Sequence, residues 1–92
     1  MEEYSLMRGI IDTRWPVRST QQLGQAIKRI RKTQHRSQET LAKLAGLRQA
    51  GISQLEAGAQ GVRLETIFKI LASLDLEIIL QKRKKGNASP QD

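Results

Sequence analysis

Leu23, Ala26, Ile27 and Ile30 recur at i, i+3, i+4 and i+7, the apolar stripe of an amphipathic helix. Ser19 and Thr20 precede the stripe as cap candidates, and Gln22 stands three residues after Ser19, where a capping box places it. Lys28, Arg29, Arg31 and Lys32 crowd the C-terminal half, which suits the negative end of a helix dipole. The pattern predicts a first helix over about 20–33. Ser37 caps a second, over 38–45, with Leu41, Ala42, Leu44 and Ala45 inward. Gly46 ends it in the left-handed conformation that glycine tolerates best. A third helix is expected over about 48–57, with Ile52 and Leu55 inward and Gly58 as its stop. After a loop at 58–63, a fourth is expected over about 64–74. Leu64, Ile67, Ile70, Leu71 and Leu74 form its inner side, and its start has no Ser, Thr, Asp or Asn to cap it.

Residues 76–80 change period. Leu76, Ile78 and Leu80 alternate with Glu77, Ile79 and Gln81, which predicts a short strand. A lone strand leaves its backbone groups unpaired, so its mate must come from the N-terminal segment or from a second copy of the chain. Pairing across a two-fold axis also enlarges a core that a chain of 92 residues can build only sparingly. Residues 1–18 show no sustained period and are expected to form an arm, flexible or docked on a partner. Residues 83–92, rich in charge, Gly, Asn, Ser and Pro, are expected to be disordered. The intervening stretch, 19–82, is then one all-α domain with a C-terminal dimerisation strand at Leu76, Ile78 and Leu80.

Charge sharpens the functional expectation. Sixteen Lys and Arg oppose nine Asp and Glu, a formal +7, which suits an anionic partner. Nine of those cations lie between Arg14 and Arg48, where Glu39 alone opposes them. Lys82-Arg83-Lys84-Lys85 forms a second run. No apolar run approaches the ~18–20 residues of a membrane span. The opening Met-Glu-Glu-Tyr is acidic and unlike a signal peptide, so a cytoplasmic, nucleoid-associated protein is expected. With no Cys and one His, no metal or cofactor is implied. Only Tyr4, Trp15 and Phe68 are aromatic, too few for a platform that stacks single-stranded bases.

Residues 37–56 carry the chemistry. Two short helices joined by a turn with Gly46, and an apolar Leu47 just past it, describe a helix-turn-helix. Ile52 and Leu55 anchor the second of these helices and leave Arg48, Gln49, Ala50, Ser53 and Gln54 outside. Arg can pair with guanine and Gln with adenine in the major groove, where the start of such a helix reaches the bases. Arg31 and Arg36, within the cluster from Lys28 to Arg36, are expected to contact the DNA backbone. His35 lies in the polar loop Thr33-Gln34-His35-Arg36, and nothing around it makes a catalytic arrangement.

Gln38, Leu41-Ala42, Gly46-Leu47, Ile52-Ser53, Leu55-Glu56 and Gly58 together resemble the Cro/cI-like (XRE) helix-turn-helix repressor family over about 20–75. Residues 64–74, the strand at 76–80 and Asn87-Ala-Ser-Pro90 are similar to the HipB-type antitoxins within it. The resemblance implies a lambda-repressor-like bundle of four to five helices. It also implies a homodimer on double-stranded operator DNA that represses its own operon. Its partner would be a HipA-type kinase toxin, of one chain or several. By the same resemblance Gln38 binds a phosphate, aided by the helix N-terminus. Ser37 does likewise or only caps. Arg48, Gln49 and Ala50 face bases, Ser53 faces a phosphate, and Gln54 reads a base or faces solvent. Glu56 is structural, buried against a basic neighbour. Gly51 departs from the Ser or Thr usual there, and the arm is long for the class. A competing expectation is an interaction subunit that holds the toxin, with DNA binding secondary.

Overall fold

In the computed structural model, residues 14–83 are described, and they contain four helices. These are α1 (Thr20–Thr33), α2 (Gln38–Ala45), α3 (Gln49–Glu56) and α4 (Leu64–Ser73). The expected arm up to Thr13 and the expected tail beyond Arg83 lie outside the described residues.

The chain enters α1 through Ser19, whose hydroxyl accepts from Gln22 N at 3.0 Å. Gln22 returns a bond, but its Oε1 accepts from Arg18 N at 2.6 Å rather than from Ser19. The reciprocal cap thus reaches one residue further back than expected. Ser37 caps α2, and Gly46 closes it at φ 71°, where its amide satisfies Ala42 O and Lys43 O. Leu47 N then bonds Ala42 O, holding the turn shut.

α1 and α2 both pack on α3, and α4 closes over α2. Ile27, Leu41, Ile52, Leu55, Ile70 and Leu74, drawn from all four helical segments, are fully buried at the junction. Each such side chain contributes roughly 1.5–3 kcal/mol by leaving water. Gly24 lets α1 meet α3 backbone to backbone, since a Cβ there would overlap Leu55 O. Sequence pattern alone passed over Gly24.

Two leucines expected inside are outside. Leu44 is 55% and Leu64 60% exposed. Leu44 sits about 100° around α2 from the line of Leu41, Ala42 and Ala45 that meets the core. Leu64 sits about 70° around α4 from the line of Ile67, Ile70, Leu71 and Leu74 that meets the core. Trp15, Pro16 and Val17 lie against α1, where with Gln22, Gln25, Ala26 and Arg29 they line a cleft of about 220 Å³. The Arg29 guanidinium stands 5.5 Å from the Trp15 ring centre.

Residues 76–83 form no helix and, in the single chain, no strand. Leu76 packs against the core, whereas Ile78, Ile79 and Leu80 all face solvent. The alternation of the sequence therefore does not divide this segment into an inner and an outer face within one chain.

Candidate nucleic-acid interface

α3 is held from below by Ile52 and Leu55, both fully buried. Its helical period then turns Gln49, Ala50, Ser53 and Gln54 outward, and Arg48 precedes them, also exposed. Arg48 stands at the N-cap position and makes no side-chain cap bond to the first amides of α3. Five of the expected contact residues thus share one solvent-facing surface. Gly51 lies among them, and a Cβ there would meet nothing within 4 Å.

The start of α2 borders this surface. Ser37 Oγ accepts from Thr40 N and donates to Thr40 Oγ1, both at 3.0 Å, so the hydroxyl is engaged as a cap. Gln38 is half-buried and faces two ways. Its Oε1 accepts from Gln49 Nε2 at 3.3 Å, and its Nε2 donates to Glu56 Oε1 at 3.0 Å.

Behind Gln38 lies a buried ion pair. Arg31 Nε donates to Glu56 Oε2 at 2.7 Å and Nη2 to Glu56 Oε1 at 3.0 Å, a bidentate arrangement. Arg31 is 6% and Glu56 8% exposed. Burial pushes the Glu56 pKa up, but the bonds from Arg31 and Gln38 and the charges of Arg31 and Lys28 pull it further down, below its ordinary value. Arg31 Nη1 donates to Arg36 O at 2.7 Å, and Arg36 Nη1 to Ser73 O at 2.6 Å. A continuous polar path therefore runs from Gln49, at the start of α3, to Ser73, at the end of α4.

This geometry corrects one expectation, that for Arg31, and places Arg36 at the end of α4. Arg31 does not face a DNA backbone, because its guanidinium is consumed by Glu56 and the Arg36 carbonyl inside the fold. Arg36 is half-buried and braces the C-terminal end of α4. Glu56 does sit buried against a basic neighbour, and that neighbour is Arg31. The sequence carried a signal for it. Gly24, Ile27 and Arg31 fall at i, i+3 and i+7 on the face of α1 that meets α3. Exposed cations that remain on α1 are Lys28, Arg29 and Lys32.

The helix-turn-helix family matches residues 27–81, more than half the chain. Over 73 residues the chain is 42% identical to antitoxin HipB of Escherichia coli K12, covering 79% of this chain and 81% of that one. It belongs to the HipB-type branch of the helix-turn-helix family. Among solved structures, a chain of a HipA-HipB-O2-O3 complex is 39% identical with a TM-score of 0.71, covering 75% of this chain and 97% of that one. The restriction-modification controller protein C.AhdI from Aeromonas hydrophila is 36% identical with a TM-score of 0.59, covering 63% and 84%. The fold is the all-α, lambda-repressor-like helix-turn-helix that the family resemblance implied. The relatives are an antitoxin and a controller protein, and neither is named for an enzymatic activity. No helix among the described residues is long and apolar enough to cross a membrane.

Proposed function

We propose that this chain is a dimeric HipB-type antitoxin. It binds double-stranded operator DNA with α3 in the major groove, represses its own operon and holds a HipA-like kinase toxin. It has no catalytic role of its own and acts in the cytoplasm beside the nucleoid. Residues 19–82 form the working unit. The observation that carries this reading is the outward row Arg48, Gln49, Ala50, Ser53 and Gln54 on a helix clamped by buried Ile52 and Leu55. Arg and Gln at the exposed start of such a helix match the hydrogen-bonding edges of guanine and adenine. The match to HipB, which has been solved both with HipA and in a HipB-O4 20mer complex, supports the two partners.

Gln38, Ser53 and the first amides of α2 serve as backbone contacts in this reading, with Ser37 acting chiefly as the cap. Lys28 and Lys32 take the place of Arg31 and join Arg36. The two lysines are exposed and one helical turn apart, in the half of α1 that leads to the turn into α2. Two copies join through the exposed Leu64 and Phe68 of α4 and through residues 76–80.

Equilibrium binding to the chain's own upstream DNA, and to a scrambled duplex, at several salt concentrations tests the reading. Arg48→Ala or Gln49→Ala is expected to cost about 1–3 kcal/mol on the cognate site and to flatten base discrimination. Replacing Lys28 and Lys32 with Gln is expected to weaken both duplexes alike. It should also lower the salt slope by about 0.9 per lost phosphate contact. Unchanged DNA binding with loss of a co-purified toxin would instead make the chain an interaction subunit.

A further inference from the structure

Gln49 reaches the DNA-facing surface from the first turn of α3, a place where a long amide side chain has many rotamers. Gln38 restrains it, because its Oε1 accepts from Gln49 Nε2 at 3.3 Å. An amide can present either end, so Gln38 restrains Gln49 only if something decides which end of Gln38 points out. Glu56 decides it. A carboxylate accepts and cannot donate, so Glu56 Oε1 selects the Nε2 end of Gln38, at 3.0 Å, and leaves Oε1 to face Gln49. Glu56 is itself immobile. It is buried and held by Arg31 through two bonds, and Arg31 is held by Arg36 O.

We propose that Glu56 is a positioning residue for base recognition, orienting Gln38 and through it Gln49. The inference rests on the major-groove reading above. With Gln49 Nε2 directed at Gln38, its Oε1 is left to accept from a donor on a base edge, with less entropy lost at binding to find that orientation.

A Gln at position 56 offers one acceptor oxygen where the carboxylate offers two. Arg31 Nε, Arg31 Nη2 and Gln38 Nε2 then compete for it, and the new NH2 faces a donor. A second variant, Arg31→Met/Glu56→Leu, removes both charges together. Replacing a buried pair by apolar groups of similar volume commonly keeps the fold. It also deprives Gln38 of its anchor.

The experiment measures relative affinities across a library of duplexes varied at each base pair of the cognate site. It uses the wild type, Glu56→Gln, Arg31→Met/Glu56→Leu, Gln49→Ala and each Glu56 variant combined with Gln49→Ala. Thermal melts confirm which variants are folded. Gln49→Ala is expected to remove about tenfold discrimination at the base pair Gln49 reads. Each folded Glu56 variant should remove about threefold or more at that same base pair. In the Gln49→Ala background it should remove nothing further there. Uniform weakening at every base pair, or flattening that adds fully to that of Gln49→Ala, overturns the positioning role. So does an intact base ranking in the folded Arg31→Met/Glu56→Leu variant. If Gln49→Ala itself leaves the ranking unchanged, the placement of α3 falls and the inference with it.

Discussion

At Glu56 burial and hydrogen bonding oppose each other in one carboxylate. Burial favours the protonated form, while three donors and two nearby cations favour the ionised form and prevail. The folded pKa therefore lies below the ordinary value of 4.5. A depressed carboxylate contributes stability that is fully present above its unfolded pKa and is lost as pH falls through the folded one. Unfolding free energy from urea titrations is thus expected to be flat near neutrality and to fall as pH drops below about 4.5. Arg31→Met/Glu56→Leu, lacking both charges, should show a shallower acid limb. An identical limb in that variant would place the acid sensitivity elsewhere. The same residue shows why Arg31 was hard to read from sequence. A cation within a basic run suggests a solvated or DNA-facing side chain. Only its phase with Gly24 and Ile27, together with a carboxylate 25 residues away, reveals a buried role.

The elements themselves were far more legible. α2 spans Gln38–Ala45 as its Ser37 cap and Gly46 stop imply, because caps and stops act within a few residues of chain. Periodicity found the buried Ile27, Leu41, Ile52, Leu55, Ile70 and Leu74 for the same local reason. It failed at Leu44 and Leu64, where the neighbour that a face meets, or does not meet, decides burial. α3 is the weakest element by these local rules. It has eight residues, no side-chain cap and a glycine at 51 in its first turn. A methyl group at 51 would meet nothing within 4 Å, so only helix propensity is at stake in the free protein. Gly51→Ala is expected to stabilise the chain by roughly 0.4–1 kcal/mol. That corresponds to a few degrees in Tm for a domain of this size. Calorimetry checks it, and a lower Tm would mean that the glycine backbone is needed in the folded state.

At the scale of the whole molecule, the described residues leave apolar surface exposed. Phe68 is 49%, Leu64 60%, Ile79 67% and Leu80 91% exposed, and Ile78 is 46% exposed. Leu64 and Phe68 are one turn apart on α4, so they form one stripe, and after Leu74 the chain turns through Asp75, at φ 61°, into the segment that bears the isoleucines. Neighbouring large apolar groups in water mark an interaction surface. The segment at 76–80 also carries two β-branched residues, Ile78 and Ile79, suited to a strand, yet its backbone finds no ladder among the described residues. In the dimer proposed above, a second copy supplies both the missing strand and the cover for α4. A two-fold arrangement then presents two α3 helices to successive major-groove faces of one duplex, about 34–36 Å apart. Ile78→Asp and Phe68→Glu are each expected to shift sedimentation towards monomer, because a buried unpaired carboxylate costs several kcal/mol. Both should weaken binding to a two-half-site duplex far more than to a single half-site, since α3 itself is untouched. Circular dichroism of the same samples separates a folded monomer from an unfolded chain. If both variants stay folded and dimeric at micromolar concentration, the copies join through another face, and α4 with residues 76–80 is left for a different chain to cover.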